Sequence, residues 1–354
     1  MSKMMKAFVM KEIGEVGFME KEIPEPGPNE ALVKTTAALV CTSDVHTASG
    51  ALGERNNLTL GHEAVGEVAK LGETVEGFEK GERVVVNAIT PCFQCDNCQR
   101  GYPSQCEEML GGWKYANVMD GIFAEYFIVK DAKANLVKIP EEVPNEKALY
   151  ATDMMSTGFM GAENADIPIG GSVAIFGQGG VGLMATVGAK LLGAGLIIAV
   201  ETVPERKELA KKFGADIVID FNEVDAVEKI KELTDGEGVD SAIEALGAQI
   251  TFENSIKATR PGGTISNVGY HGEGEYLKIP RLEWGVGMSD KTIKTALCPG
   301  GSERMKRLLR LLENDRLDPT ILTTHEFTFD EVDQAFELMK TKEDNVIKPL
   351  IKFK

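Results

Sequence analysis

The chain has 354 residues, with 38 Lys and Arg against 55 Asp and Glu, and a formal charge of −17. That length is enough for two domains with separate cores. So large an acidic excess argues against a nucleic-acid partner, whose phosphates must be met by cationic side chains; its simplest meaning is a solvated, mutually repulsive surface.

The opening segment, MSKMMKAFVM, sets charge amid apolar residues and leads into no cleavable hydrophobic stretch, so no signal peptide is expected. Runs such as GLIIAV are far too short to span a bilayer, and no membrane partner is expected. The expectation is a soluble cytoplasmic protein, a compartment in which free thiols and thiolate–zinc sites survive.

In the first third, KAFVMKEIG, EALVKTTAALV, AVGEVAKLG and ERVVVNAIT are short β-branched runs between Gly, Pro and Asn turn signals, which predicts a β-rich domain. Next, PCFQCDNCQRGYPSQC packs Cys92, Cys95, Cys98 and Cys106 into fifteen residues. Two-residue gaps let neighbouring thiolates converge on one cation, and four sulfurs complete a tetrahedral zinc shell. A closed shell has no open position, so this metal is expected to hold a loop together. Two disulfides are the alternative, and the lack of secretory features weighs against them.

At about residue 154 the pattern changes. SVAIFG, LIIAVE, DIVIDF, VDSAIEAL, TISNVGY and KTIKTAL are apolar runs, and helical stretches such as GVGLMATVGAKLLG, PERKELAKKFG and VEKIKELTDG alternate with them. Strands that are apolar throughout, each followed by an amphipathic helix, indicate a parallel sheet covered on both faces. Six of them match a doubly wound dinucleotide-binding domain. Beyond about residue 298, SERMKRLLRLLEND and FDEVDQAFELMKT read as helices and VIKPLIKF as a terminal strand. This tail is expected to return to the N-terminal domain. The predicted division is 1–153 with 298–354, and 154–297 as an insertion.

The first strand of the insertion runs into Gly177-Gln178-Gly179-Gly180-Val181-Gly182, a GxGxxG between strand and helix. In that setting Gly177 permits the tight turn, Gly179 lets backbone approach a pyrophosphate, and Gly182 brings helix close to sheet. The helix N-terminus offers unpaired N–H groups to the phosphates. Glu201 ends the next strand, where a carboxylate accepts the ribose hydroxyls of NAD and repels a 2′-phosphate. Thr202 and Val203 follow, with no Arg beside them, so NAD is favoured and NADP stays open.

Only four histidines occur, His46, His62, His271 and His325, and two lie within twenty-two residues of Cys41. Cys41 and His62 are ligand types that zinc prefers. GHEAVGEVAKLGETV closely resembles the zinc signature of medium-chain alcohol dehydrogenases, at Gly61, His62, Glu63, Gly66, Gly72 and Val75. The resemblance covers essentially the whole chain, including the four-cysteine lobe. CTSDVHT, DMMSTGF, GGTISNVGY, PRLEWGVGM and LCPGG resemble the bacterial and archaeal secondary-alcohol dehydrogenase branch.

The resemblance implies an α/β fold in which a β-rich, GroES-like catalytic domain holds an inserted Rossmann domain. It implies a catalytic zinc held by Cys41, His62 and Asp153, with Glu63 next to the metal; the expectation is that Glu63 binds at rest and withdraws when substrate arrives. Asp153 stands where many relatives have a second cysteine; zinc with one thiolate, one carboxylate and neutral imidazole still sums to zero charge. With the lobe this makes two zincs per chain. Ser43 resembles the hydroxyl that takes the alcohol proton, and His46 would pass it to solvent. Ala88, Trp113, Leu297 and Cys298 match positions that line the substrate cleft, and Tyr270 matches a position close to it. Short secondary alcohols and methyl ketones are the implied substrates, and a homodimer or homotetramer the implied assembly.

Two departures stand out. Related chains of the branch carry Gly-Ser-Arg where this one has Glu201-Thr202-Val203, and several lack the four cysteines. The mixture is compatible with a diol, polyol or 3-hydroxy substrate. Other readings are a non-catalytic NAD sensor, a zinc-free quinone reductase, and a nucleic-acid-binding zinc module, the last opposed by charge.

Overall fold

In the computed structural model, which describes residues 3–354, the chain divides into two units. One runs through Ser156 and resumes at Cys298–Lys354; the other is Thr157–Leu297.

The first unit begins with β1 (Met4–Glu12), β2 (Glu15–Glu22) and β3 (Ala31–Leu39), then helix α1 (Thr42–Ala48) and the short β4 (Leu58–Thr59). Strands β5 (Glu63–Leu71), β6 (Arg83–Val86), β7 (Tyr126–Val129) and β8 (Leu136–Lys138) follow, with the one-turn helices α2 (Asp96–Gln99), α3 (Ala132–Asn135) and α4 (Asn145–Ala148) among them. A three-stranded sheet has the order β2-β1-β4. The β-branched runs read from the sequence become β1, β3, β5 and β6, and their inward residues, among them Phe8, Val33, Val68, Val84 and Val86, share one core with Tyr115 and Phe123.

Helix α5 (Met154–Asn164) leads into the second unit. There β9 (Ser172–Phe176), α6 (Gly180–Leu191), β10 (Leu196–Val200), α7 (Pro204–Phe213) and β11 (Ile217–Ile219) alternate. They are followed by α8 (Ala226–Leu233), β12 (Val239–Glu244), α9 (Gln249–Ala258), β13 (Thr259–Asn267) and β14 (Thr292–Thr295). All six strands pair in parallel, in the order β11-β10-β9-β12-β13-β14. This is the doubly wound order, whose reversal between β9 and β12 opens a crevice at the strand ends. A Cβ at Gly182 would lie 1.9 Å from the carbonyl oxygen of Gly177, so only glycine lets α6 leave β9 this closely.

The C-terminal segment adds α10 (Ser302–Glu313), β15 (Thr323–Thr328), α11 (Val332–Thr341) and β16 (Lys348–Lys352). It returns to the first unit: β16 pairs antiparallel with β3, Leu350 opposite Leu39. The larger sheet then reads β15-β16-β3-β5-β6-β8, with β7 also on β3. Strands β2 and β15 are not legible in the sequence, because β2 is mostly half-buried and β15, TTHEFT, has one large apolar residue and none that is buried.

Candidate metal and cofactor sites

Strand register builds the first site. Antiparallel pairing sets Leu39 opposite Glu63, so the chain leaves β3 beside the point where it enters β5. Cys41, two residues past β3, therefore meets His62 and Glu63. Asp153 joins them just before α5. One donor atom from each of Cys41, His62, Glu63 and Asp153 lies within 4.8 Å of the others. Edges of a zinc tetrahedron with these ligand types are roughly 3.3–3.8 Å, so a small inward movement of the donors would enclose a cation.

Cys41 is the N-cap of α1, and Asp44 in the first turn accepts its backbone N–H at 2.9 Å. The other Asp44 oxygen is 2.9 Å from His62 Nδ1. With Nδ1 protonated toward that carboxylate, the Nε2 lone pair faces the cluster. Nε2 is 3.8 Å from an Asp153 oxygen, 4.0 Å from Glu63 Oε1 and 3.3 Å from Ser43 Oγ.

Burial opposes charge on His62, but the Asp44 carboxylate, helped by hydrogen bonds to Asp153, Asp44 and Cys41, outweighs it and raises the imidazole well above its usual range. Burial likewise pushes the Glu63 carboxyl up, with Asp153 adding to the rise and Lys348 opposing it. Lys348 is itself buried yet raised, because the charges of Cys41, Glu63 and Asp153 overcome its desolvation. Acidic groups thus crowd a largely buried site in which, among the described residues, Lys348 is the one neighbouring lysine. The residues fit a divalent cation.

Asp44 and Lys348 are not among the residues the sequence reading singles out. The carboxylate three residues after Cys41 is a helix-start signal that could have pointed to Asp44. Nothing local points to Lys348.

The remaining predicted residues separate by unit. His46 is half-buried in α1, and its imidazole is held down by burial and by the Lys342 charge. Ala88 is buried, and its backbone N–H donates to Thr152 O at 3.1 Å, next to Asp153. The Cys298 thiol is 4.0 Å from an Asp153 oxygen, and the Trp113 ring stands 6.0 Å from that of His62. Ala88, Trp113 and Cys298 thus lie beside the cluster in the first unit, and His46 belongs to the same unit. Tyr270, half exposed, and Leu297 belong to the second.

Cys92, Cys95, Cys98 and Cys106 form the other donor set, their sulfurs mutually within 4.8 Å and all four thiols free. Backbone N–H groups point at the sulfurs: Cys92 at Cys106 (3.3 Å), Cys95 at Cys92 (3.3 Å) and Glu107 at Cys95 (3.1 Å). Backbone N–H groups hold Cys95 down to about 6, while burial pushes Cys98 up to about 11 and Cys106 up to about 12. Four converging sulfurs fit a structural zinc.

In the second unit no side chain caps α6, whose N-cap is Gly179, so its first-turn donors remain for a ligand. A Cβ at Gly179 would meet nothing within 4 Å. The fold does not require glycine there, whereas close approach of a phosphate would. Glu201, 6% exposed, accepts from Gln178 N at 3.0 Å, Thr202 N at 2.7 Å and Val203 N at 3.0 Å. A carboxylate has about four acceptor positions, so one is left for a ribose hydroxyl.

Family models match in both halves: an alcohol dehydrogenase GroES-like domain over residues 27–141 and a zinc-binding dehydrogenase domain over 180–314. The chain is 52% identical over 349 residues to an NADP-dependent isopropanol dehydrogenase of Thermoanaerobacter brockii, covering 98% of this chain and 99% of that one. It is 44% identical over 366 residues to an alcohol dehydrogenase of Cupriavidus necator, covering 99% and 100%. Among solved structures, an alcohol dehydrogenase from Thermus sp. ATN1 superposes with a TM-score of 0.89 at 31% identity, over 99% of this chain and 100% of that one.

Proposed function

The chain belongs to the zinc-dependent medium-chain alcohol dehydrogenases, in their secondary-alcohol branch, and we propose that Cys41, His62 and Asp153 hold its catalytic metal. Its activity is zinc-dependent interconversion of small secondary alcohols and ketones, with a nicotinamide cofactor exchanging the hydride. The convergence of four donor residues in one largely buried cluster carries the assignment. When bound, the cation supplies Lewis acidity, which makes an alcohol easier to deprotonate by about several kcal/mol.

The chain's own residues do the rest. Asp44 fixes the His62 tautomer. Ser43, 3.3 Å from His62 Nε2, takes the alcohol proton, and His46 in the same helix passes it toward solvent. Ala88, Trp113 and Cys298 shape the substrate pocket and select small groups. In the second unit, the amides after Gly179 and the Glu201 carboxylate bind and orient the dinucleotide.

NAD is the proposed cofactor. Glu201 puts a buried negative charge where a 2′-phosphate would need a cation, and Thr202 and Val203 supply none. The second proposed zinc is the structural one held by the four-cysteine lobe. A homo-oligomer is proposed because β14 is an edge strand and Tyr276, Leu282 and Met288 near it in sequence are 75%, 70% and 79% exposed. No helix among the described residues is long and apolar enough to cross a membrane.

A panel of secondary alcohols and ketones, run with NAD and with NADP while zinc is measured on the same preparation, tests these assignments. The expected result is turnover of 2-propanol or its neighbours, NAD preferred, with two zincs per chain. Full activity in metal-free protein would overturn the metal assignment.

A further inference from the structure

Glu244 is a buried carboxylate in the second unit that the proposed chemistry leaves unused. It ends β12 in register with Phe176 of β9 and Asn267 of β13, so it stands at the carboxyl edge of the parallel sheet, beside the crevice. In a doubly wound fold each half of the sheet takes one nucleotide of a dinucleotide. The glycine turn and Glu201 give the β9–β11 half to adenosine, which leaves the loops after β12 and β13 for the nicotinamide nucleotide.

Glu244 locks those two loops together. Its carbonyl accepts from Val268 N at 2.9 Å and Gly269 N at 3.1 Å. Its Oε1 accepts from Leu246 N at 3.0 Å, Gly247 N at 2.8 Å and Thr251 Oγ1 at 2.7 Å. A Cβ at Gly247 would strike the Tyr270 backbone, and one at Gly269 would strike Glu244 Oε2, so the loops interlock only as glycine. Oε2 itself is buried without a hydrogen bond, a costly state for a carboxylate oxygen.

His271 Nε2 stands 3.6 Å from that oxygen. Asn267 Nδ2 donates to Gly269 O at 3.1 Å, which turns Asn267 Oδ1 toward His271 Nε2 at 2.8 Å. Nε2 therefore carries a proton, and this one N–H has two acceptors to serve, Asn267 and Glu244. Phe252 of α9 packs against the imidazole, T-shaped with 5.6 Å between ring centroids.

We propose that His271 is a positioning residue for the cofactor: its N–H ties the loop that carries Tyr270 to the ends of β12 and β13, and so fixes the surface on which the nicotinamide nucleotide lies. This rests on the proposed NAD site of the second unit. His271 acts through Glu244 and Asn267. Without its N–H both acceptors lose that donor, and the loop carrying Tyr270 shifts off Glu244.

Titrating the full-length protein with NADH and with ADP separates the two nucleotide halves. His271→Phe keeps a ring against Phe252 and removes the N–H. It is expected to weaken NADH binding by about 3- to 10-fold, the worth of one hydrogen bond. KM for NAD rises by a similar factor with kcat moving less, and ADP affinity stays at the wild-type value. His271→Gln, whose amide can donate to the same oxygens, recovers most of the loss. In a Glu244→Gln background His271→Phe adds little, because the two residues act as one unit. Unchanged NADH affinity in His271→Phe would overturn the inference. So would an equal loss for ADP, which marks a general loosening of the second unit. Should His271→Phe fail to fold, Glu244→Gln alone decides. Its amide sets N–H against N–H, toward either His271 or the Leu246 and Gly247 backbone, so NADH affinity falls with ADP unchanged; an unaltered NADH affinity refutes the inference. Failure of the underlying NAD site looks different, because wild-type protein would then bind neither NADH nor ADP.

Discussion

The Asp44 carboxylate lies 2.9 Å from Nδ1 of His62, with both side chains buried. Its second oxygen receives the backbone N–H of Cys41. One side chain thus caps α1, fixes Cys41 and sets the His62 tautomer. Asp44→Asn is expected to lower metal affinity or turnover by about 10- to 100-fold, while Asp44→Ala also destabilises α1 by about 1 kcal/mol through loss of the cap. Zinc titration and thermal melts on both variants separate the two effects.

Asp153→Ala removes a proposed ligand and leaves the four-cysteine lobe intact. Turnover is expected to vanish and zinc content to fall from two per chain to one. Cys95→Ser should also lose one zinc, but its first symptom is a lower melting temperature. Retained activity in Asp153→Ala would exclude that carboxylate from the metal.

Glu201→Gly has two expected consequences. The ratio of kcat/KM for NADP over NAD rises, since the charge that repels a 2′-phosphate is gone. Stability falls by about 1–3 kcal/mol, because the buried backbone N–H of Gln178 and the half-buried ones of Thr202 and Val203 lose their acceptor. An unchanged cofactor ratio would show that Glu201 only supports the glycine loop.

Gly179→Ala and Gly182→Ala should part company. Alanine at 179 meets no neighbour, so the fold survives while cofactor affinity drops. Alanine at 182 would run into the Gly177 carbonyl at 1.9 Å and destabilise the second unit itself. Denaturant unfolding and dinucleotide titration on the pair give the comparison. Equal losses of stability would contradict the assignment of Gly179 to the ligand.

Asp240 ties β9 to β12 and β13: it accepts from Ser172 N at 2.8 Å, Ser172 Oγ at 2.9 Å and Arg260 Nε at 2.8 Å. Burial opposes its charge, but the Ser172 and Arg260 bonds outweigh it and hold the carboxyl below its usual range. A depressed folded-state value contributes stability above the unfolded Asp value of about 3.9 and loses it as pH falls through the folded one. The melting temperature of Asp240→Asn should therefore trail wild type most above about pH 5 and converge with it at lower pH. A gap independent of pH would refute an electrostatic origin.

Legibility followed the range of the signal. The parallel strands β9 and β10 are readable because they are largely buried on both faces and so apolar nearly throughout. The glycine turn and the four-cysteine lobe are readable because their chemistry lies within short spans. Strand β2, half-buried from Val16 to Met19, leaves no clean alternation. The helix-start pattern marks the Asp44 contact with Cys41, but nothing local marks its contact with His62, eighteen positions away.

The residues alone determined which donors exist, a thiol, an imidazole, carboxylates and four clustered cysteines, and which backbone turn cradles phosphate. Tertiary structure decided which donors meet. Cys41 reaches His62 only through the register of β3 on β5, and Glu63 finds Lys348 across 285 positions of sequence because β16 docks on β3. Periodicity encodes the face a side chain takes within its own element. Pairing between distant strands is set by the packing of whole sheets, and no local spacing records it.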